Sequence, residues 1–155
     1  MMQKTCSIET VCPSELVEAV YSEDTVLPCH LEPPTDATDN RVEWRRGNDV
    51  VHLYQGGKED PAEQRETFEG RTSLFPEGLT KGNLSLKLSS VRLEDSGSYL
   101  CSFHTLDQSC LVNLRLFVSA DAEKQLPVHV TTATLEFKNK HWDLGGLILG
   151  YRSWL

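Results

Sequence analysis

The five cysteines are the side chains of this sequence whose types and spacing most readily do chemistry. They are Cys6, Cys12, Cys29, Cys101 and Cys110. Thiols that meet in pairs form disulfides, which persist in oxidising compartments. Thiolates also bind zinc, but Cys6, Cys12 and Cys110 lack a close ligand pair such as Cys-x-x-Cys. We therefore predict disulfides, no metal site and passage through the secretory route.

Residues that usually carry acid–base or nucleophilic catalysis form no recognisable pattern in the chain. The histidines are scattered at His30, His52, His104, His129 and His141. No Gly-rich phosphate loop and no His-Glu-x-x-His motif is present, and no Ser or Cys has an activating pattern around it. The carboxylates fall in turns and at outward strand positions, which is typical of a solvated acidic surface. We predict that the protein is not an enzyme and uses no cofactor or small-molecule substrate.

The charge of the chain argues against nucleic acid as a partner. Its 15 Lys and Arg residues against 23 Asp and Glu residues give a net charge of −8. Proteins that bind nucleic-acid backbones need clustered Lys and Arg, and the longest basic run here is Arg45-Arg46. The 155 residues suffice for one domain and a tail, because a single core typically takes roughly 100–150 residues.

Targeting and membrane segments are not evident at either end. No window reaches the roughly 20 apolar residues that span a bilayer, and the best stretch, 144–151, is far too short. Residues 1–9 lack the basic start and the run of roughly 7–15 apolar residues of a secretory signal. Since the cysteines indicate an oxidising compartment, we expect a truncated chain that acts outside the cell. It is then either secreted or held on the extracellular side of the plasma membrane.

Alternation of apolar and polar residues predicts the strands that position these groups. Leu84, Leu86 and Leu88 share one face of such a strand, and Val112, Leu114 and Leu116 share one face of another. Frequent Gly, Pro, Asn and Asp turn signals separate the strands, which favours an all-β sandwich or barrel. The predicted strands span 15–20, 24–31, 41–46, 50–55, 71–75, 82–90, 97–104 and 110–118.

Four residues on the inward sides of these strands decide between the all-β architectures. Cys29 and Cys101 are 72 positions apart, and Trp44 follows Cys29 by 15 positions. Tyr99 lies two positions before Cys101. This is the arrangement of an immunoglobulin sandwich, in which an inter-sheet disulfide packs against a tryptophan. The pattern therefore predicts two antiparallel sheets joined by a Cys29–Cys101 bridge.

The turn before Tyr99 completes the immunoglobulin pattern. Asp95 and Gly97 precede Tyr99, so the segment reads Asp-x-Gly-x-Tyr-x-Cys. The Tyr99 hydroxyl is expected to hydrogen-bond back to this turn, as a tyrosine corner does. Arg71 opens the predicted strand 71–75, and we expect it to pair with Asp95 across the bottom of the sandwich.

Residues 12–118 resemble the variable-type (V-set) domain of butyrophilins and myelin-oligodendrocyte glycoprotein. The resemblance rests on residues 23–31, 42–44, 50–54, 68–74 and 93–101. It implies a cell-surface immunoglobulin-superfamily protein whose relatives include T-cell co-signalling ligands. The segment 45–49 is shorter than that family usually has. The last strand lacks the Phe-Gly-x-Gly bulge of antigen receptors, which argues against a rearranged receptor.

The resemblance bears on the remaining cysteines and on the ends of the chain. In a variable-type sandwich the first and last strands run parallel and adjacent from the same end, so a second bridge, Cys12–Cys110, is geometrically reasonable. Cys6 is then free or pairs with another chain. We assign 1–11 to an N-terminal extension, 12–118 to the V-type domain and 119–155 to a poorly ordered linker and tail. That tail is either the truncated start of a membrane-proximal segment or an unrelated end.

Two surface features carry the functional prediction. Asn83-Leu84-Ser85 is an N-glycosylation acceptor, and the strand alternation turns Asn83 outward. The outer face of one sheet mixes aromatic, basic and apolar side chains, which favours a protein interface. Outward positions predicted by parity on this binding face are Glu43, Arg45, His52, Tyr54, Leu100, Ser102, His104, Asn113 and Arg115.

The resemblance and this face together predict a binding module for a cell-surface receptor on lymphocytes, acting in T-cell co-signalling and the immune response. The alternative is a homophilic adhesion module with a weak homodimer, as the resemblance to the myelin glycoprotein allows. Self-association at micromolar concentration would favour adhesion, whereas a monomer that binds lymphocytes would favour the receptor ligand.

Overall fold

The computed structural model of the chain describes residues 7–119, which form eleven strands, one short helix and two 3-10 turns within that range. The strands are β1 (Glu9–Val11), β2 (Leu16–Val20), β3 (Thr25–Leu27), β4 (His30–Glu32), β5 (Val42–Arg46), β6 (Asp49–Gln55), β7 (Lys58–Glu59), β8 (Thr72–Ser73), β9 (Leu86–Leu88), β10 (Gly97–Phe103) and β11 (Thr105–Phe117). Helix α1 spans Pro76–Leu79, and the 3-10 turns span Glu66–Phe68 and Leu93–Asp95.

These strands form the two layers of a sandwich. The front sheet has six strands in the order β2-β11-β10-β5-β6-β7. The back sheet has three strands in the order β3-β9-β8, and β1 pairs with β4 beside it. All pairings are antiparallel except that of β2 with β11, which is parallel. The prediction of an all-β, variable-type sandwich is confirmed.

The core lies between the two sheets and follows the predicted alternation. The leucines of the 84–88 segment and the inward residues of β11 are buried, as expected from a period of two. Trp44 and Tyr99 are the largest fully buried side chains. The Trp44 indole Nε1 donates a hydrogen bond of 2.9 Å to the Leu84 carbonyl oxygen. This bond satisfies the polar atom of a buried tryptophan and ties the front sheet to the back sheet.

The predicted strand 24–31 is divided in the structure. Its first part, β3, pairs with β9 in the back sheet, whereas its second part, β4, pairs with β1. Pro28 lies between the two parts and has no backbone N–H to give to a ladder, so the chain leaves one pairing there and enters another. The two-residue strand β7 was not predicted, because Lys58 and Glu59 carry no apolar alternation.

Candidate binding face

Two disulfides lie side by side in the sandwich. The Cys29–Cys101 bridge has a Cα–Cα distance of 6.7 Å, and the Cys12–Cys110 bridge has one of 5.7 Å. Cys101 and Cys110 are direct partners in the β10–β11 register, which places the two bridges next to each other. The structure thus contains the predicted Cys29–Cys101 bridge and the second bridge, Cys12–Cys110, that was geometrically reasonable from the sequence. Cys6 lies outside the described residues.

The sulfur atoms of Cys12, Cys29 and Cys110 lie within 4.8 Å of one another, a spacing that suits metal ligands. Each of them belongs to a disulfide in this structure. Cysteine binds metals as a thiolate, and a disulfide sulfur has no such form. The proximity therefore reflects two neighbouring bridges.

The tyrosine corner is built around the buried carboxylate of Asp95. The Arg71 guanidinium donates two hydrogen bonds to it, of 2.8 and 2.9 Å. The backbone N–H of Arg92 donates a third, of 2.7 Å. The Tyr99 hydroxyl donates to the Asp95 carbonyl oxygen, and burial raises the pKa of Tyr99. Gly97 opens β10 at φ +143°, a conformation that favours glycine.

Arginine side chains also pack on the aromatic rings of this corner. The Arg46 guanidinium lies 5.0 Å from the Phe68 ring centroid and 5.7 Å from that of Tyr99. Arg71 lies 5.5 Å from the Phe68 ring, and its hydrogen bonds to Asp95 raise the pKa of Arg71. The five residues assigned to the immunoglobulin signature, Trp44, Arg71, Asp95, Gly97 and Tyr99, thus have structural roles in the core.

The outer face of the front sheet follows from the register of its strands. Cross-strand partners point to the same side of a sheet, and Trp44, Cys101 and Tyr99 point into the core. Their chain neighbours Arg45 and Leu100 are partners and point outward. Along β11, Asn113 is exposed, and Arg115 is half-buried within 3.8 Å of Glu18 on β2. His104 follows β10 and is exposed.

The prediction that His52 and Tyr54 point outward is wrong. A register shift pairs Trp44 with His52 and Arg45 with Val50, so Val51 is the extra residue of a β-bulge. The bulge reverses the parity expected for β6. His52 therefore shares the inner face with Trp44, and Tyr54 belongs to the hydrophobic core.

Polar contacts of His52 and Tyr54 confirm their inward orientation. The His52 Nδ1 lies 2.8 Å from the Thr72 hydroxyl on the back sheet. Burial lowers the pKa of His52, although Glu59, whose carboxylate lies 3.4 Å from Nε2, opposes this shift. The Tyr54 hydroxyl donates a hydrogen bond of 2.7 Å to the Thr38 carbonyl oxygen. Burial also raises the pKa of Tyr54.

Glu43 and Ser102 occupy outward register positions but are buried, so neither is an open contact residue in this structure. The Glu43 carboxylate accepts hydrogen bonds from Arg41 at 3.1 Å and from Arg45 at 3.0 Å. Long arginine side chains on either side therefore cover it. Leu53, expected to point into the core, is the register partner of Glu43 and is also buried.

Part of the exposed outer face is apolar and was only partly expected. Leu16 is 45% exposed and Leu111 is 47% exposed. Leu111 pairs with the half-buried Leu100, and Leu16 pairs with Asn113, two residues along β11. We call Leu16, Leu100 and Leu111 the leucine patch. Leu16 was missed because outward positions were predicted by parity only for the strands 41–46, 50–55, 97–104 and 110–118, and not for the strand 15–20.

The predicted glycan acceptor lies away from the leucine patch. Asn83 is half-buried and forms an isolated β-bridge with His30. Its side-chain oxygen accepts a hydrogen bond of 3.0 Å from the Ser85 backbone N–H. Attachment of a glycan to Asn83 stays a prediction.

A sandwich with a buried inter-sheet disulfide beside a tryptophan, and with a tyrosine corner, defines an immunoglobulin-type domain. Its outer sheet face, rather than a catalytic cleft, is the candidate site. Residues 12–119 match the family model described as "Immunoglobulin V-set domain", and the chain belongs to this family. Within residues 7–119, no helix combines the length and apolar character that crossing a bilayer requires.

Comparisons with individual proteins agree with this assignment. Myelin-oligodendrocyte glycoprotein of Callithrix jacchus is 33% identical over 108 residues, covering 67% of this chain and 44% of the relative. The chain thus spans less than half of that relative's length. A crystal structure of bovine butyrophilin is 28% identical with a TM-score of 0.67, over 72% of this chain and 55% of that one. A crystal structure of the human B7-H4 IgV-like domain is 32% identical with a TM-score of 0.56, and the match covers 72% of this chain and 96% of that one.

The predicted resemblance to butyrophilins and the myelin glycoprotein is therefore confirmed. V-set domains of this kind are binding and receptor-type modules, which confirms the prediction that the chain is not an enzyme.

Proposed function

We propose that this protein is an extracellular binding module that engages a protein receptor on lymphocytes through the outer face of the front sheet. The observation that carries the proposal is the exposure of Leu16 and Leu111 on that face. Protein interfaces commonly have an apolar centre and a polar rim. Here the leucine patch is bordered by Arg45, Asn113 and the Arg115–Glu18 pair, which supply such a rim.

The extracellular setting is supported by the two disulfides. Disulfides of structural domains persist in oxidising compartments and are rare in the cytosol. Butyrophilin and B7-type relatives support a role in lymphocyte signalling, since the chain shares their fold over 72% of its length. The receptor itself is left to experiment.

A staining experiment with the full chain, secreted by means of an added leader and displayed as tetramers, tests the proposal. Lymphocytes are expected to bind the wild-type tetramer. Leu111→Ser and Leu16→Ser should weaken binding by about fivefold or more, since truncating a residue at the buried centre of an interface costs over about 1 kcal/mol. Val26→Ser is the matched control, because Val26 is 43% exposed but lies on β3 of the back sheet.

Binding that is unchanged by the leucine variants, or reduced equally by Val26→Ser, would contradict a role for the leucine patch. Absence of lymphocyte binding by the folded wild-type tetramer would overturn the receptor proposal.

Homophilic adhesion is the second candidate, and the charges of the outer face favour it. Arg115 and Glu18 lie together on this face, with their charged groups 3.8 Å apart. In a two-fold dimer the same patch faces itself, so each arginine of one copy can meet a glutamate of the other. Sedimentation at micromolar concentration distinguishes the candidates. A dimer that Leu111→Ser dissociates favours adhesion, whereas a monomer that stains lymphocytes favours the receptor ligand.

A further inference from the structure

The two disulfides are in direct contact with each other. The Cys29 Sγ and the Cys110 Sγ belong to different bridges and are 3.7 Å apart. Cys101, the other half of the first bridge, is the register partner of Cys110. Exchange between a thiolate and a disulfide requires the attacking sulfur to reach a sulfur of the bridge. The structure already holds the Cys110 and Cys29 sulfurs, which belong to different bridges, within van der Waals contact.

Solvent reaches the two bridges unequally. Cys29 is 1% exposed and Cys101 is 0% exposed, whereas Cys12 and Cys110 are only half-buried. A thiol dissolved in the surrounding water therefore meets the Cys12–Cys110 bridge first. The inner Cys29–Cys101 bridge is shielded from direct attack by the packing of the sandwich.

We propose that the four cysteines form a thiol–disulfide exchange site for low-molecular-weight thiols, in which the outer bridge opens the inner one. In the first step, a thiolate of the small thiol attacks the Cys12 sulfur. A mixed disulfide forms on Cys12, the Cys12–Cys110 bond breaks, and Cys110 leaves as a thiolate.

In the second step, the Cys110 thiolate attacks the adjacent Cys29 sulfur. A Cys29–Cys110 bond forms, the Cys29–Cys101 bond breaks, and Cys101 leaves as a thiolate that takes a proton from water. Two disulfides are present before and after, so no oxidant or further reductant is needed. The product links β11, rather than β10, to the Cys29 segment. This chemistry depends on the cysteines alone and holds whichever partner the outer face binds.

Peptide mapping of the full chain tests the exchange directly. The folded protein is treated with reduced glutathione, quenched in acid, and its free thiols are alkylated. Cleavage before aspartate separates the sulfurs, because Asp107 lies between Cys101 and Cys110 and Asp24 lies between Cys12 and Cys29. The expected products are a Cys29–Cys110 linked peptide, an alkylated Cys101, and glutathione on Cys12, which fragmentation distinguishes from Cys6.

A matched variant measures the contribution of the outer bridge. In Cys12→Ser/Cys110→Ser the inner bridge remains, and near-ultraviolet circular dichroism shows whether the core around Trp44 is intact. We expect glutathione to open Cys29–Cys101 about tenfold more slowly in this variant, because the buried bridge has lost its neighbouring thiolate. Equal rates in a folded variant would overturn the proposal.

The peptide map of the wild-type protein tests the proposed exchange even if the Cys12→Ser/Cys110→Ser variant fails to fold. Loss of the Cys12–Cys110 link with Cys29–Cys101 intact, and without any Cys29–Cys110 peptide at any glutathione concentration, would show that the sulfurs are neighbours without exchange. That result would also overturn the proposal.

Discussion

Arg71 holds both carboxylate oxygens of Asp95, at 2.8 and 2.9 Å, in a bidentate ion pair at the base of the sandwich. Both side chains are buried, and the Arg92 backbone N–H gives the carboxylate a further hydrogen bond. Removing charges from water is costly, so such a pair adds little net stability over an apolar pair of the same shape. Removing one partner of this ion pair, however, strongly destabilises the fold, because the other charge stays buried without a partner.

Replacing Arg71 by Met is expected to lower the free energy of unfolding by about 3–5 kcal/mol, because the Asp95 charge then stays buried without a partner. Urea denaturation followed by tryptophan fluorescence measures the loss. Arg71→Lys is the control, since it keeps the charge without the planar fork and should lose less. Equal losses in the two variants would show that shape, rather than charge, matters at this position.

Tyr99→Phe tests the tyrosine corner. The substitution leaves the Asp95 carbonyl oxygen without the Tyr99 hydroxyl, and a buried acceptor without a partner costs about 1–3 kcal/mol. Tyr54→Phe is the matched control, because its acceptor is the carbonyl of the half-buried Thr38, which water can reach. Thermal unfolding should show a clearly lower midpoint for Tyr99→Phe. A larger effect for Tyr54→Phe would contradict the assigned role of the corner.

Much of the fold is predictable because, in a half-buried strand, every second side chain is apolar and points into the core. Leu84, Leu86 and Leu88 show this period, and the structure buries all three. The immunoglobulin signature adds long-range information, since Trp44 and Tyr99 have recognisable positions relative to two cysteines. The two-residue alternation of apolar side chains and the immunoglobulin signature are together enough to predict a core that lies between two sheets.

The outer face is harder to predict because it depends on register and on long side chains. A single extra residue, Val51, reverses the parity of β6 and moves His52 to the inner side. Leu16 joins the face through a parallel pairing of β2 with β11, which leaves no local pattern in the sequence. Glu43 is buried by two arginines that reach over it, and alternation does not describe such contacts.

The pKa of His52 predicts a dependence of stability on pH. Burial lowers this pKa below its ordinary value of 6.5, so the folded state binds a proton less readily than the unfolded state. Stability from the neutral form is therefore present above about pH 6.5 and is lost as the pH falls from there through the folded pKa. We expect the free energy of unfolding to be lower at pH 5.5 than at pH 7.5.

Two variants assign this dependence to His52. His52→Gln keeps a hydrogen-bonding group near Thr72 but does not titrate, so it should reduce the loss of stability on acidification. Glu59→Gln removes the carboxylate that opposes the shift and should increase the loss. Urea denaturation at the two pH values measures both. An unchanged pH dependence in His52→Gln would contradict the assignment.

Gly82 is the position where a single methyl group should be most damaging among the glycines of turns. Its φ is +85°, and an added Cβ would lie 3.0 Å from the backbone N and O of Thr35 and 3.2 Å from the Leu31 Cβ. Gly57 has a similar φ of +79°, but nothing lies within 4 Å of its Cβ position. The two sites therefore share the conformational cost and differ in crowding.

Gly57→Ala is expected to lose about 1–2 kcal/mol of stability, the cost of a left-handed L-residue. Gly82→Ala should lose a further ~1–3 kcal/mol, because the loop carrying Thr35 must move away from the methyl group. That movement also weakens the 2.9 Å hydrogen bond from the Leu31 N–H to the Gly82 carbonyl oxygen. Thermal unfolding of both variants gives the comparison, and equal losses would mean that the loop yields without cost.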